Sequence, residues 1–127
     1  MAVQGAKVPA PHERVVKVML APEIGNTDKC TMLLVMIIPG GDTSVHTHDS
    51  DEMIYVAAGR GSVQVGQENM EFREGTVIRA PKGVEHILAN TGNETVKLVC
   101  FFVPPIKPAG YLEEALSKAR EYFKTRS

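Results

Sequence analysis

The strongest constraint on this chain is the close spacing of its β-branched runs. Across residues 14–104 the sequence reads VVKVML, CTMLLVMII, EMIYVAA, SVQV, MEFRE, TVIRA, HILAN and TVKLVCFFV, punctuated by Gly, Pro, Asn and Asp. Short apolar segments at this spacing, with no helical period between them, predict antiparallel strands in a sandwich or barrel. Val63 and Val65 alternate with Ser62 and Gln64, and residues 66–69 predict a hairpin turn before Met70 and Phe72. One face of that hairpin should be core and the other wet.

The pattern changes beyond Pro104, Pro105 and Pro108, which end the last strand, while Gly110 permits a turn. Leu112, Ala115, Leu116, Ala119 and Phe123 then recur at helical spacing, with Glu113, Glu114, Lys118, Arg120 and Lys124 between them. An amphipathic helix covering a barrel face or edge is expected. The chain of 127 residues thus divides into an N-terminal arm (1–13), loose or pairing with a sheet edge, a β-domain (14–104) and a C-terminal helical segment (105–127). That is one domain, long enough for one core.

Charge narrows the choice of partners. Fourteen Lys and Arg balance 15 Asp and Glu with no basic block, which disfavours nucleic acid and anionic membrane. The apolar run 32–38 is too short to span a bilayer as a helix, and the N-terminus has no export pattern. Cys30 and Cys100 lie far apart and form no dense disulfide framework, so a cytoplasmic location is expected.

Histidine carries the chemistry. His12 stands alone in the proline-rich arm and reads as a solvated side chain. His46 and His48, two apart, face the same side of an extended strand, and Glu52 keeps their parity. If the strand continues through Asp49, Ser50 and Asp51, all three face one interior; if a turn intervenes, they can still converge. His86 would join them from another strand. Three imidazoles and a carboxylate are costly inside a barrel unless something satisfies them. A divalent cation would, and so would a hydrogen-bonded polar cluster; spacing alone leaves both open.

The flanking residues add a second line of argument. Gly40, His46, His48, Glu52 and Gly59 are followed, after a short spacer, by Gly75, Pro81, Gly83, His86 and Asn90. These two segments resemble the paired signature motifs of the cupin superfamily at every defining position, in the manner of its small single-domain members. The resemblance implies an all-β, double-stranded β-helix (jelly-roll) barrel, usually a homodimer joined through edge strands or exchanged terminal segments. It also implies that His46, His48, Glu52 and His86 hold one divalent transition metal per chain, from among Mn, Fe, Ni, Zn, Co and Cu. The motif glycines, Pro81 and Asn90 would be structural.

Within such a family the reaction is not named by the fold. The expectation is a metal-dependent enzyme acting on a small acid or carbonyl substrate, of dioxygenase or isomerase, decarboxylase or lyase type. A non-catalytic module binding a small ligand through its metal is the alternative. Glu85, Tyr55, Arg79 and Lys82 lie near the motifs, but parity turns Tyr55 and Glu85 outward, and exposed Arg and Lys usually only solvate. Ile54, Val56, Leu88, Leu98, Cys100 and Phe102 should line an apolar interior, with Lys97 on the wet side.

Overall fold

The computed structural model describes residues 3–124, so the outermost ends of the arm and of the helical segment lie outside the described residues. The described residues form nine strands: β1 (Ala6–Val8), β2 (Arg14–Leu20), β3 (Thr31–Ile37), β4 (Asp51–Ala58), β5 (Arg60–Val65), β6 (Glu68–Arg73), β7 (Val77–Ala80), β8 (His86–Asn90) and β9 (Val96–Val103). Helix α1 (Tyr111–Lys124) follows. A six-stranded sheet runs β1-β2-β3-β9-β4-β7 and a three-stranded sheet runs β6-β5-β8.

Every strand pair is antiparallel, and alternation decides which side chains meet. In β3, Leu33, Val35 and Ile37 are buried while Met32, Leu34 and Met36 are only partly covered. Ile37, Ile54, Val56 and Leu98 from the large sheet join Val63, Phe72 and Leu88 from the small one in a single core. A jelly-roll barrel with one C-terminal helix is the result, as the sequence predicts. Helix α1 buries Ala115, Leu116 and Ala119, three of its apolar positions, beside β1 and β2.

Three local expectations need correction. The hairpin joining β5 to β6 turns at Gly66 and Gln67 alone, and Asn69 lies inside β6 opposite Gln64. A two-residue loop closes the ladder earlier than a 66–69 turn would. Of β6 only Phe72 is buried, and Met70 is 43% exposed, because β6 is an edge strand that the large sheet does not cover. The arm takes the edge-pairing alternative, β1 against β2, but its His12 is not simply solvated: Nδ1 donates to the Asp42 carboxylate.

Asn90 joins the two halves. Its side-chain amide donates to the carbonyls of Ile37 (2.8 Å) and Glu94 (2.8 Å), and its oxygen accepts from the Gly92 amide (3.0 Å). A buried amide with its partners in place specifies this corner, because any unmet group there would carry its full desolvation cost. No described helix is long and apolar enough to cross a membrane.

Candidate metal centre

The segment from Gly40 to His48 is not a free loop; it runs antiparallel to β8. Thr43 N donates to Leu88 O (2.9 Å), Asn90 N to Gly41 O (3.0 Å), and Gly83 N to His48 O (3.0 Å). Between them His46 and His86 exchange backbone bonds of 3.1 and 3.3 Å, so the two motifs are hydrogen-bonded to each other. Glu52 enters from the opposite sheet, near the start of β4, flanked by Ala80 and Phe102.

Of the two routes to convergence, the turn is the one taken. Residues 49 and 50 leave the extended path before β4 begins. Ser50 Oγ donates to Pro104 O (2.6 Å) and Lys82 N to the Asp51 carboxylate (2.9 Å), pinning both sides of that turn. One potential ligand atom from each of His46, His48, Glu52 and His86 then lies within 4.8 Å of the others.

The local chain decides which ring nitrogen faces the cluster. Ser44 adopts a left-handed backbone (φ 62°), uncommon for a residue other than glycine, with its amide held by the Asp42 carboxylate (2.8 Å). This conformation aims the Ser44 carbonyl at His46 Nδ1 (2.7 Å), and the Val84 carbonyl takes His86 Nδ1 in the same way (3.1 Å). A carbonyl only accepts, so each Nδ1 carries the proton and each Nε2 is left to the cluster. His86 Nε2 contacts Glu52 Oε1 at 2.6 Å, and the His48 ring packs edge-on against Phe102 with centroids 4.7 Å apart.

Electrostatics keep two of the three imidazoles neutral. Burial lowers the pKa of His46, and burial together with the His46 charge drives His48 down to about 4. For His86, burial acts downward but the hydrogen bond and charge of Glu52 outweigh it, and its pKa is raised. Atoms around a single ion with bonds of about 2.1 Å lie roughly 3.0 to 4.2 Å apart. Two neutral imidazoles, a third whose Nε2 already faces the Glu52 carboxylate, and this spacing fit one transition-metal ion after a small contraction.

The cluster borders a cavity of about 420 Å³. Ile54, Leu88, Leu98, Cys100 and Phe102 line it as predicted, whereas Val56 is buried in the core away from it. Cys100 touches Glu52, and burial with that carboxylate pushes its thiol well up, so it serves as a neutral wall. None of the four outlying candidates lines the cavity. Tyr55 and Glu85 face outward, and Arg79 and Lys82 pair with Asp51 (3.7 Å) and Asp49 (3.2 Å) on the outside. The polar residues that do line it include Arg14, Thr43, Ser44, Lys107 and Tyr111. For Arg14 a signal existed: it shares the parity of Val16 and Val18 on β2.

Comparison with known proteins agrees with this geometry. Residues 33–102 match the model of the family described as Cupin domain. The chain is 29% identical over 92 residues to an uncharacterized protein of Methanocaldococcus jannaschii, covering 72% of this chain and 74% of that one. It is 32% identical over 94 residues to Protein SchB of Streptomyces halstedii, covering 73% and 67%. Among solved structures, a cupin-like protein from Thermotoga maritima superposes with a TM-score of 0.70 at 24% identity, over 93% of this chain and 95% of that one. A predicted oxalate decarboxylase from the same organism superposes with a TM-score of 0.72 at 18% identity, over 80% and 93%. With the matched segment spanning more than half of its length and both motifs meeting at one cluster, the chain belongs to the cupin domain family.

Proposed function

We propose that the chain is a metal-dependent enzyme acting on a small acid or carbonyl compound, with one divalent transition metal held by His46, His48, Glu52 and His86. The observation that carries this reading is the cluster's position on the wall of a largely apolar cavity, which leaves one side of the ion open to a ligand. When bound, such an ion polarises a ligated oxygen or, if redox-active, supplies dioxygen chemistry. The rest falls to the chain: Ser44 and Val84 hold two rings, Phe102 braces a third, and apolar walls flank the cluster. Dioxygenase and isomerase, decarboxylase or lyase chemistry all suit this arrangement.

Protein purified without chelator should carry about one metal per chain by elemental analysis. Oxygen uptake by the iron form against small diketones, phenols and ketoacids then separates oxygenases from isomerases and lyases. One observation favours the second reading, a binding module without turnover: the buried Cys100 thiol is held protonated, and Glu52, engaged by His86, is the one carboxylate side chain among the described residues lining the cavity. Tight binding of one compound with no turnover across the panel would select it.

Loading of the site should release a proton. In the metal-free protein the hydrogen bond and charge of Glu52 raise the pKa of His86 above its ordinary value, so at mildly acidic pH its Nε2 holds a proton that an ion must displace. Metal affinity therefore climbs with pH until that proton has gone and is flat above it. Calorimetry near pH 6.5 in buffers of differing ionisation enthalpy should read about half to one proton per ion.

The outer face of the large sheet supports a homodimer. Leu34, Val99, Tyr55 and Val77 form one row across β3, β9, β4 and β7, and Met32, Phe101 and Met53 form the next. Val77 is 70% exposed and Tyr55 45%, an apolar stripe of the kind that marks an interface. Sedimentation should give twice the chain mass, and Leu34→Glu with Val99→Glu should give the monomer.

A further inference from the structure

The cavity contains a cation that the metal cluster does not use. Arg14 opens β2 in phase with Val16 and Val18, which turns its side chain inward, and it is only partly exposed. Nη1 donates to the backbone carbonyls of His12 (2.9 Å) and Asp42 (3.1 Å). These two bonds fix the plane of the guanidinium, and Nε and Nη2 meet no partner among the described residues. Nor does Arg14 form an ion pair there: the Asp42 carboxylate, whose charge it feels, turns Oδ1 to His12 and to the Ser44 amide.

A partly desolvated guanidinium with no direct ion pair, only the field of Asp42 and the Tyr111 phenol nearby, is an unusual expense, because such charges are normally paired. Burial lowers the pKa of Arg14, yet a guanidinium remains charged at any physiological pH. Among the described residues the lining of the cavity contains a second cation, Lys107, and a single carboxylate side chain, Glu52, already engaged by His86. Beside Arg14 the wall is apolar: Val16, Leu33 and Val35.

We propose that Arg14 is a carboxylate-binding residue, and that the cavity takes small compounds with an apolar body and a carboxylate end. Nε and Nη2 form a side-on fork that matches the two oxygens of a carboxylate, which a lysine at this position would not do. The apolar body lies along Val16, Leu33 and Val35, and Lys107 adds attraction from the rim. This deepens the reading of the cavity as a small-molecule site and rests on it, but its test does not need the metal.

The test uses carboxylates from butyrate to 3-phenylpropionate, each paired with its neutral primary amide. Binding is measured by calorimetry on metal-loaded and on chelator-stripped protein. The wild type should prefer at least one carboxylate over its amide by about 10-fold or more in both forms. Arg14→Gln should cut that preference to about 2-fold or less, with metal content and melting temperature near wild type, and Arg14→Lys should restore only part of it. If the Gln variant fails to fold, the Lys variant carries the test, since loss of the fork alone must weaken the preference. Three results would overturn the proposal: no preference in the wild type, an unchanged preference in both variants, or a preference seen only with metal present, which would put the carboxylate on the ion. Absence of metal from the wild type, with the preference intact in stripped protein, would sink the metal reading and leave this one standing.

Discussion

His48→Ala should strip the protein of its metal while leaving the barrel folded. Its imidazole is half-buried, packs edge-on against Phe102, and is kept neutral down to about pH 4, so the wild-type ring presents a free nitrogen throughout the physiological range. Removing it takes away one of four converging donors and leaves the backbone bond between Gly83 N and His48 O in place. Loss of a residue that merely orients a ligand costs about 10- to 100-fold in metal affinity, so loss of a ligand should cost more than about 100-fold. Bound metal should drop from about one per chain to trace levels. The metal-free barrel should lose only about 1 kcal/mol, because little apolar surface depends on this ring. The loaded wild type should melt well above the variant, since an ion at 1,000 times its dissociation constant stabilises the fold by about 4 kcal/mol. Unchanged metal content would show that the convergence of these four side chains does not make a site.

The second large effect belongs to a residue with no chemistry. Gly61→Ala should destabilise the protein by more than about 3 kcal/mol. Gly61 is buried in β5, paired with Phe72 on one side and Asn90 on the other. A methyl group there would overlap the carbonyl oxygen of Ala89 and stand 2.7 Å from Phe72 Cζ. The Phe72 ring could move, but the Ala89 carbonyl is part of β8, the strand that begins at His86 and ends at Asn90. Relieving the clash therefore loosens the β5–β8 ladder that carries His86 into the His46, His48, Glu52 and His86 cluster. The melting temperature should fall by more than about 10 °C. Gly83→Ala is the control. Its φ of 77° disfavours a side chain but nothing lies within 4 Å of the added methyl, so the cost should be about 1–2 kcal/mol. Equal effects at the two glycines would mean that the close approach at Gly61 is unimportant.

These two residues illustrate how unevenly the sequence discloses the molecule. His48 was legible because parity and motif spacing are linear properties. Gly61 was not, since its constraint comes from Ala89 and Phe72, whose proximity follows only once three strands are paired. Arg14 is intermediate: its inward parity is written in RVVKVML, but that the interior at that end is a cavity rather than packed core depends on where β3, β9 and the segment after Ile106 come to lie. His12 and Met70 failed for the opposite reason. Each was judged from its neighbours in sequence, and each answers to a distant element, Asp42 in one case and the uncovered edge position of β6 in the other.

The sequence by itself determined the architecture and which four side chains cluster. Period-two alternation chooses strands, proline and glycine cut them to barrel length, a helical period closes the chain, and the spacing of His46, His48, Glu52 and His86 matches a known pair of motifs. Only the tertiary structure decided that the chain turns between His48 and Glu52, and that Ser44 and Val84 direct two imidazoles. It also decided that Arg14 rather than Arg79 or Lys82 reaches the cavity. Those outcomes rest on contacts between residues remote in sequence, where register and packing, not local propensity, set which atoms can meet.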